Sequence, residues 1–163
     1  VARLFLRVQE ILTHAGLSHN QLELEITESL LMDNVQENVR ILENINRQGV
    51  RFAMDDFGTG YSSLSYLRQF PISKLKIDRS FVNDITDDPD DEAIIRAIIA
   101  MGQTLKLKVI AEGVENHQQL VLLQTMGCDS YQGYFFSKPL PAEEFYTKYI
   151  QPASQQIEIN NQL

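Results

Sequence analysis

The sequence has no tryptophan and a single cysteine, Cys128. One cysteine excludes an intramolecular disulfide framework and fits a reducing compartment. Basic residues are scarce, because 14 Lys and Arg stand against 22 Asp and Glu, for a net charge of -8. Since nucleic-acid-binding surfaces are basic, this balance argues against a DNA or RNA partner. No apolar run approaches the roughly 20 residues that span a bilayer, and no signal peptide is visible. We therefore expect no membrane contact by this segment.

The chain has 163 residues, 44% of them hydrophobic, which suits one domain with a sizeable core. Strand-like segments alternate with segments of helical spacing. The predicted strands are 21–26, 50–54, 74–77, 108–111 and 128–136, and the predicted helices are 3–16, 34–49, 62–69, 87–105, 115–128 and 141–150. Such alternation predicts an α/β fold with a parallel sheet and crossover helices. An open doubly wound sheet and a (β/α) barrel both fit. The lack of a glycine-rich fingerprint after the first strand weakens a dinucleotide-binding fold.

Polar residues occur near the carboxyl end of every predicted strand. They are Glu25, the adjacent Asp55 and Asp56, Lys76 with Asp78, Glu112, and Gln132. The carboxyl ends of the strands form the active-site face of barrel enzymes. A single acid there is usually the start of a loop, but acids at four successive strands, with a lysine, predict a functional site.

Carboxylates that converge at close range cannot all stay ionised without a cation. The three histidines, His14, His19 and His117, fall in predicted helices or loops, and we expect them to be solvated surface residues. The remaining donors are oxygens, which favour a hard divalent cation such as Mg²⁺ or Mn²⁺. Two such cations would suit displacement at phosphorus, with Asp55 and Asp56 serving different metals. A lysine beside them would hold the attacking water or a phosphate oxygen.

The residues alone leave a second enzyme class open. Carboxylates on successive strands together with a lysine base also describe a Mg²⁺-dependent enolising enzyme. The enolising chemistry does not require a flexible Gly58-Thr59-Gly60 segment beside the acids. In a phosphodiesterase the two glycines would allow this loop to turn tightly and to move next to the substrate.

Five motifs make the pattern more specific. They are "ELEITES" (23–29), "DDFGTGYSSL" (55–64), "KLKIDRSFV" (74–82), "VIAEGVE" (109–115) and "QGYFFSKPL" (132–140). In order and spacing over about residues 3–150, the chain resembles the EAL-domain family. The resemblance implies a (β/α) TIM-type barrel that hydrolyses cyclic di-GMP to pGpG with Mg²⁺ or Mn²⁺. It also implies a cytoplasmic catalytic domain, in a parent that upstream segments can tether to a membrane.

The resemblance assigns roles to these positions. Glu25, Asp55 and Glu112 are expected to bind metal, with Asp56 at the second metal. Lys76 is expected to position the catalytic water, and Gln132 to contact the site. Asp78 and Arg79 are candidates for substrate or loop contacts.

Further positions are implied at the rim of the site. Phe136 and Pro139 are expected on the guanine-binding side, with core packing as the alternative for Phe136. Glu28 and Glu115 are expected to steady the "DDFGTGYSSL" loop at Gly58, Thr59 and Gly60. The alternative is that each glutamate only stabilises a helix N-terminus by its negative charge. The "DDFGTGYSSL" region is also implied as a homodimer contact.

The family's Glu-Ala-Leu motif and Asn-x-Ser strand, which carry two metal ligands, are absent. We expect both upstream of Val1, since a full barrel has eight strands and about 250 residues. The domain is thus expected to be a partial barrel over 1–151 with a tail over 152–163. Such an arc has two open edges and exposes side chains that would fill the barrel. We expect the isolated chain to hydrolyse cyclic di-GMP poorly. The alternative is a non-catalytic EAL module that binds cyclic di-GMP or a protein.

Overall fold

The computed structural model describes residues 2–32, 34–60 and 64–151. Its centre is a sheet of five parallel strands in chain order. The strands are β1 (Glu23–Thr27), β2 (Arg51–Phe57), β3 (Lys74–Ile77), β4 (Lys108–Glu112) and β5 (Ser130–Gln132). This confirms the predicted α/β class and the arc of five βα units, with β1 and β5 as its edges. The predicted tail, 152–163, lies outside the described residues.

The helices of the described residues flank these strands. They are α1 (Ala2–His14), α2 (Glu28–Met32), α3 (Val35–Asn46), α4 (Leu64–Leu67), α5 (Arg79–Asp84), α6 (Pro89–Leu105), α7 (His117–Thr125) and α8 (Ala142–Phe145), the last continuing as a π-helical turn over Tyr146–Ile150. The sequence did not predict α2 or α5, because five or six residues are too few to show a helical repeat. No helix of the described ranges is long and apolar enough to cross a membrane.

Two predicted strand boundaries are wrong. β2 does not stop before the acids but continues through Asp55 and Asp56 to Phe57. β5 ends at Gln132 instead of continuing to residue 136. The chain turns at Gly133, whose carbonyl accepts a hydrogen bond from the Phe136 N–H at 3.1 Å. The aromatic residues "YFF" led to the wrong boundary, because aromatic residues are frequent in strands but here lie in a turn.

The two faces of the sheet differ in chemistry. The face toward the helices is apolar and forms the core with Leu24, Ile26, Phe52, Met54, Leu75, Ile77, Val109 and Ala111. Alternate residues form the opposite face, which we call the polar face: Glu23, Glu25, Arg51, Ala53, Asp55, Lys74, Lys76, Lys108, Ile110 and Glu112. The face that an arc leaves uncovered is therefore mostly charged, which limits the apolar surface it exposes.

Gln119 fixes the connection that follows β4. Its side chain is 3% exposed. Its Oε1 accepts hydrogen bonds from the backbone N–H groups of Glu115 (2.8 Å) and Asn116 (3.2 Å), and its Nε2 donates to the Asn83 carbonyl at 3.2 Å. One buried amide therefore satisfies the start of α7 and joins it to the end of α5.

Replacing Gln119 by alanine should lower the free energy of unfolding by about 1–3 kcal/mol, because it removes three partly buried hydrogen bonds and the packing of a buried side chain. Urea denaturation measures this change. The matched control is Gln118→Ala, since Gln118 is the exposed neighbour in the same helix turn and should change stability by less than about 0.5 kcal/mol. Equal effects of the two substitutions would contradict the prediction.

Candidate functional site

Lys76 is buried, at 6% exposure, in the middle of the polar face. Its Nζ lies 2.7 Å from Glu25 Oε2, 2.9 Å from Asp55 Oδ1 and 2.9 Å from Glu112 Oε1. These four side chains, which we call the Lys76 cluster, come from β1, β2, β3 and β4. The structure thus brings together, around one point, the acids that the sequence placed at separate strand ends.

The surroundings of Lys76 determine its protonation. Burial by itself lowers the pKa of a lysine, but hydrogen bonds to Glu25, Glu112 and Asp55 outweigh it and raise the pKa of Lys76 above its ordinary value. Lys76 is therefore an ammonium ion at neutral pH and acts as a hydrogen-bond donor, not as a base.

A bulge in β2 gives both adjacent aspartates access to the site. The strand register shifts between Met54 and Phe57, and Asp56 has a left-handed φ of 52°. In a regular strand two neighbours point to opposite faces, and a bulge re-aims one of them. Burial and the negative charges of Asp55 and Asp78 raise the pKa of Asp56, although Lys76 opposes them. This crowding of carboxylates favours a cation beside Asp56.

Asp78 also has a structural role, as the N-cap of α5. Its Oδ1 accepts hydrogen bonds from the Ser80 N–H, at 2.9 Å, and from the Ser80 hydroxyl. Burial alone would raise the pKa of Asp78, but these bonds and Arg79 lower it. Asp78 therefore remains an anion next to Asp56, while the following residue, Arg79, is exposed at the start of α5.

The glycine loop after β2 packs on Glu28. Glu28 is the first residue of α2 and is only 2% exposed. Its Oε2 accepts a hydrogen bond from the Gly58 N–H at 3.3 Å. A Cβ on Gly60 would lie 2.5 Å from Glu28 Oε1, so this approach requires glycine. Thr59 closes the loop by donating from Oγ1 to the Asp56 carbonyl at 2.8 Å. Residues 61–63 of the predicted dimer contact lie outside the described residues.

The segments that follow β4 and β5 are joined through Val114. Its N–H donates to the Gln132 carbonyl and its carbonyl accepts from the Phe135 N–H, both at 3.0 Å. A Cβ on Gly133 would lie 2.1 Å from the Val114 carbonyl oxygen, so only glycine permits this contact. These two hydrogen bonds tie the loops together, and Gln132 lies next to Glu112, its Cα partner.

Two cavities lie at this edge, and Gln132 lines both of them. The smaller, about 200 Å³, is lined by Arg79, Glu112, Glu115 and Gln132 among others. The larger, about 640 Å³, is lined by Gln132, Phe136 and Pro139, together with Tyr134, Phe145 and Tyr149. Phe136 is 49% exposed, so core packing is the wrong interpretation for it.

Three lining aromatics, Tyr134, Phe145 and Tyr149, were not predicted from the sequence. Their only signal was the concentration of aromatic residues in "QGYFF" and "EEFYTKYI". That pattern does not reveal a cavity, because it occurs equally in cores.

The histidines do not join the Lys76 cluster in the described structure. His14 and His117 are exposed, as predicted, but His19 is half-buried, and its Nε2 is a buried atom. The loop that carries His19 folds back under Gly49, whose Cβ position would lie 3.5 Å from the His19 Cβ.

The donors of the Lys76 cluster fit a hard divalent cation, because three carboxylate oxygens from separate strands surround one point. Across residues 2–32, 34–60 and 64–151, no three His, Cys, Asp or Glu side chains form a metal cage by themselves. The reason is visible in the cluster, where each carboxylate points an oxygen at the Lys76 ammonium. A divalent cation would share these carboxylates with Lys76.

Fold and site together define the class of this protein: a parallel α/β sheet of the barrel type with an acidic, oxygen-only site at the carboxyl ends of its strands. The EAL domain family model matches residues 2–139. The chain belongs to the EAL-domain family, which confirms the resemblance seen in the motifs.

Related proteins agree with this assignment. The chain is 49% identical over 158 residues to cyclic di-GMP phosphodiesterase NbdA of Pseudomonas aeruginosa, covering 95% of this chain and 20% of that protein. The MucR phosphodiesterase structure in complex with c-di-GMP superposes with a TM-score of 0.82 at 47% identity, covering 85% of this chain and 56% of that one. A manganese and c-di-GMP complex of Klebsiella pneumoniae BlrP1 superposes with a TM-score of 0.75 at 34% identity, covering 81% and 34%. The chain spans about a fifth of the length of the curated relatives it matches.

Proposed function

We propose that this chain is part of a cytoplasmic, metal-dependent phosphodiesterase domain that hydrolyses cyclic di-GMP to pGpG. We assign residues 1–151 to its barrel; residues 152–163, predicted as a tail, lie outside the described residues. The observation that carries the proposal is the Lys76 cluster, in which one buried ammonium contacts carboxylates from three other strands. The relative NbdA is named a cyclic di-GMP phosphodiesterase, and MucR was solved with c-di-GMP.

Glu25, Asp55 and Glu112 would hold one cation, Mg²⁺ or Mn²⁺, and Asp56 would contribute to a second. The oxygen donors suit these hard ions, and the raised pKa of Asp56 indicates negative charge that a second cation would relieve. BlrP1 was solved with manganese and c-di-GMP. Bound at such a site, divalent cations activate water and stabilise charge on the phosphate.

Lys76 would act through its fixed positive charge. As an ammonium it has three N–H donors, which contact three carboxylates here; a donor released when cations take up those carboxylates would orient the attacking water or a phosphate oxygen. A lysine base in an enolising enzyme must instead lose its proton near neutral pH, which requires a lowered pKa. Without a bound cation the carboxylates hold Lys76 protonated, and the match to the EAL domain family argues against the enolising alternative.

The two cavities would receive the substrate. Arg79 and Gln132 line the smaller one beside Glu112, where a guanidinium suits a phosphate and an amide suits a polar base edge. Phe136 and Pro139 line the larger one, whose aromatic walls suit a guanine base.

The glycine loop would couple the site to a partner subunit. Glu28 accepts a hydrogen bond from the Gly58 N–H and packs closely against Gly60. Thr59 donates a hydrogen bond to the Asp56 carbonyl. Glu115 would support the same region from the loop after β4. We propose a homodimer through the "DDFGTGYSSL" segment. Since this segment contains Asp55 and Asp56, contact with a partner there would affect the proposed cation site. DNA, RNA and membranes are not proposed partners of this segment.

The test is to incubate the purified full-length protein with cyclic di-GMP and Mn²⁺ and to separate the products by chromatography. We expect pGpG to form and EDTA to abolish its formation. Binding of the nucleotide without any product in the presence of Mn²⁺ would instead support the non-catalytic EAL module. The intact Asp55, Asp56, Lys76 and Glu112 favour the enzyme, since a binding module has no physical need for them.

A further inference from the structure

A second ion pair crosses the polar face on the amino-terminal side of the Lys76 cluster. Lys74 Nζ lies 2.7 Å from Glu23 Oε1. Glu23 precedes Glu25 by two positions on β1, and Lys74 precedes Lys76 by two positions on β3. Because side chains alternate between faces along a strand, all four lie on the polar face. None of the roles assigned above involves Glu23 or Lys74.

Both lysines reach over β2, which separates β3 from β1. Where the two lysines cross it, β2 has the small residue Ala53, which is fully buried. Ala53 is the Cα partner of Glu25 on β1 and of Lys74 on β3. A methyl side chain leaves room for the longer side chains to meet above it. The two lysines start two residues apart on β3 and cross β2 in the same direction.

The two levels of the polar face differ in charge balance. At the amino-terminal level Glu23 pairs with Lys74, and Lys108, the Cα partner of Lys74, pairs with Asp129 at 2.6 Å. These four side chains balance to zero, and Arg51, the exposed Cα partner of Glu23, adds one positive charge to this level. The Lys76 cluster sets three carboxylates against one ammonium and keeps an excess of two negative charges. A divalent cation is therefore attracted to the cluster and not to the level beneath it.

Glu23 depends on Lys74 for its counter-charge. The Glu23 side chain is 21% exposed, and its second oxygen, Oε2, is buried without a hydrogen-bond partner among the described residues. The Lys74 side chain is 37% exposed, so the pair is partly buried, and removing Lys74 leaves the Glu23 carboxylate without its ion-pair partner, which is unfavourable. Lys76 lies two residues further along the same strand and face, so the unpaired Glu23 charge would act on the Lys76 ammonium.

We propose that the Glu23–Lys74 pair is a positioning element for the Lys76 cluster, an inference that rests on the proposed function. By neutralising Glu23, Lys74 keeps that carboxylate from drawing the Lys76 ammonium away from Asp55 and Glu112. It also keeps Glu23 from competing for the divalent cation. Neither Glu23 nor Lys74 touches the reacting atoms, and both act through Lys76.

The test compares Lys74→Met, Lys74→Arg and the double variant Glu23→Gln/Lys74→Met in the full-length protein. For Lys74→Met we expect kcat for cyclic di-GMP to fall about tenfold with KM within about twofold, because substrate contacts are intact while Lys76 is misplaced. Lys74→Arg keeps the charge and should stay near the wild-type rate. The double variant removes the unpaired carboxylate as well and should recover most of kcat. Lys108→Met is the matched control, a lysine at the same level with a separate partner.

A second readout is independent of turnover. The electron paramagnetic resonance spectrum of bound Mn²⁺ should change in Lys74→Met and return to the wild-type form in the double variant. A double variant as slow as Lys74→Met, or an equal loss in Lys108→Met, would overturn the inference, as would rates that merely follow the melting temperatures. If the wild-type protein does not hydrolyse cyclic di-GMP, the proposed function fails, while the Mn²⁺ spectra still decide whether Lys74 positions the cluster.

Discussion

Replacing Asp55 by asparagine should abolish most cyclic di-GMP hydrolysis, with an expected loss in kcat of about a thousandfold or more. Asp55 contacts Lys76 at 2.9 Å and is adjacent to Asp56 in the bulge of β2, so it belongs to the proposed cation site. Asparagine keeps the shape of the side chain and removes its charge. The measurement is kcat at saturating Mn²⁺, together with Mn²⁺ binding by calorimetry, which should weaken in parallel.

The control for Asp55→Asn is Glu43→Gln, which also removes one negative charge. Glu43 lies on α3 in an exposed pair with Arg47 at 3.5 Å, and such surface pairs contribute little. We expect Glu43→Gln to leave both hydrolysis and Mn²⁺ binding unchanged. Unchanged hydrolysis in Asp55→Asn would show that the metal assignment of Asp55 is wrong.

Replacing Lys76 by methionine should abolish hydrolysis and also make folding depend on divalent metal. The substitution removes the one ammonium that contacts Glu25, Asp55 and Glu112 in the cluster, which leaves three carboxylates facing one another. A bound cation then compensates the repulsion, and anything that binds only the folded state stabilises it. We expect the melting temperature of Lys76→Met to fall in EDTA and to recover with Mn²⁺ by more than that of the wild type.

The pH dependence of the wild type follows from the same cluster. The folded-state pKa of Lys76 is raised above the value of about 10.4 in an unfolded chain. The stability this contributes is fully present below pH 10 and is lost as pH rises through the folded-state pKa. Alkaline denaturation above about pH 10 should therefore be less steep in Lys76→Met than in the wild type. Lys108→Met serves as the control, because Lys108 is 71% exposed, and it should behave as the wild type does in both experiments.

Most of the fold was predictable because its signals are local. Alternation of apolar strands with helical repeats gave the parallel α/β sheet, and the long helices α3 and α6 fall within the predicted ranges. The helices α2 and α5 were not predicted, since they are too short to show the helical spacing of apolar residues. α5 is instead fixed by its cap at Asp78, which the sequence offers only as one more acid.

The candidate site residues were easier to predict from the sequence than the contacts between them. Glu25, Asp55, Lys76 and Glu112 could be selected because each stands at a strand end, where parallel strands converge. The contact between Glu28 and the loop at Gly58 followed only from the family resemblance, because 30 residues separate the two. The Glu23–Lys74 pair gave no signal, since each residue reads as an ordinary charge in an alternating strand.

By itself, the sequence determined the chemistry available to this protein: an acidic chain with one cysteine, five motifs of the EAL family, and oxygen donors suited to a hard cation. These properties depend on residue identity and local spacing. Only the tertiary structure decided which acids share one ammonium, that the bulge at Asp56 brings a further carboxylate to the site, and that the charge beneath the cluster is neutralised. Such facts depend on strand register, and register is set by packing across the whole sheet.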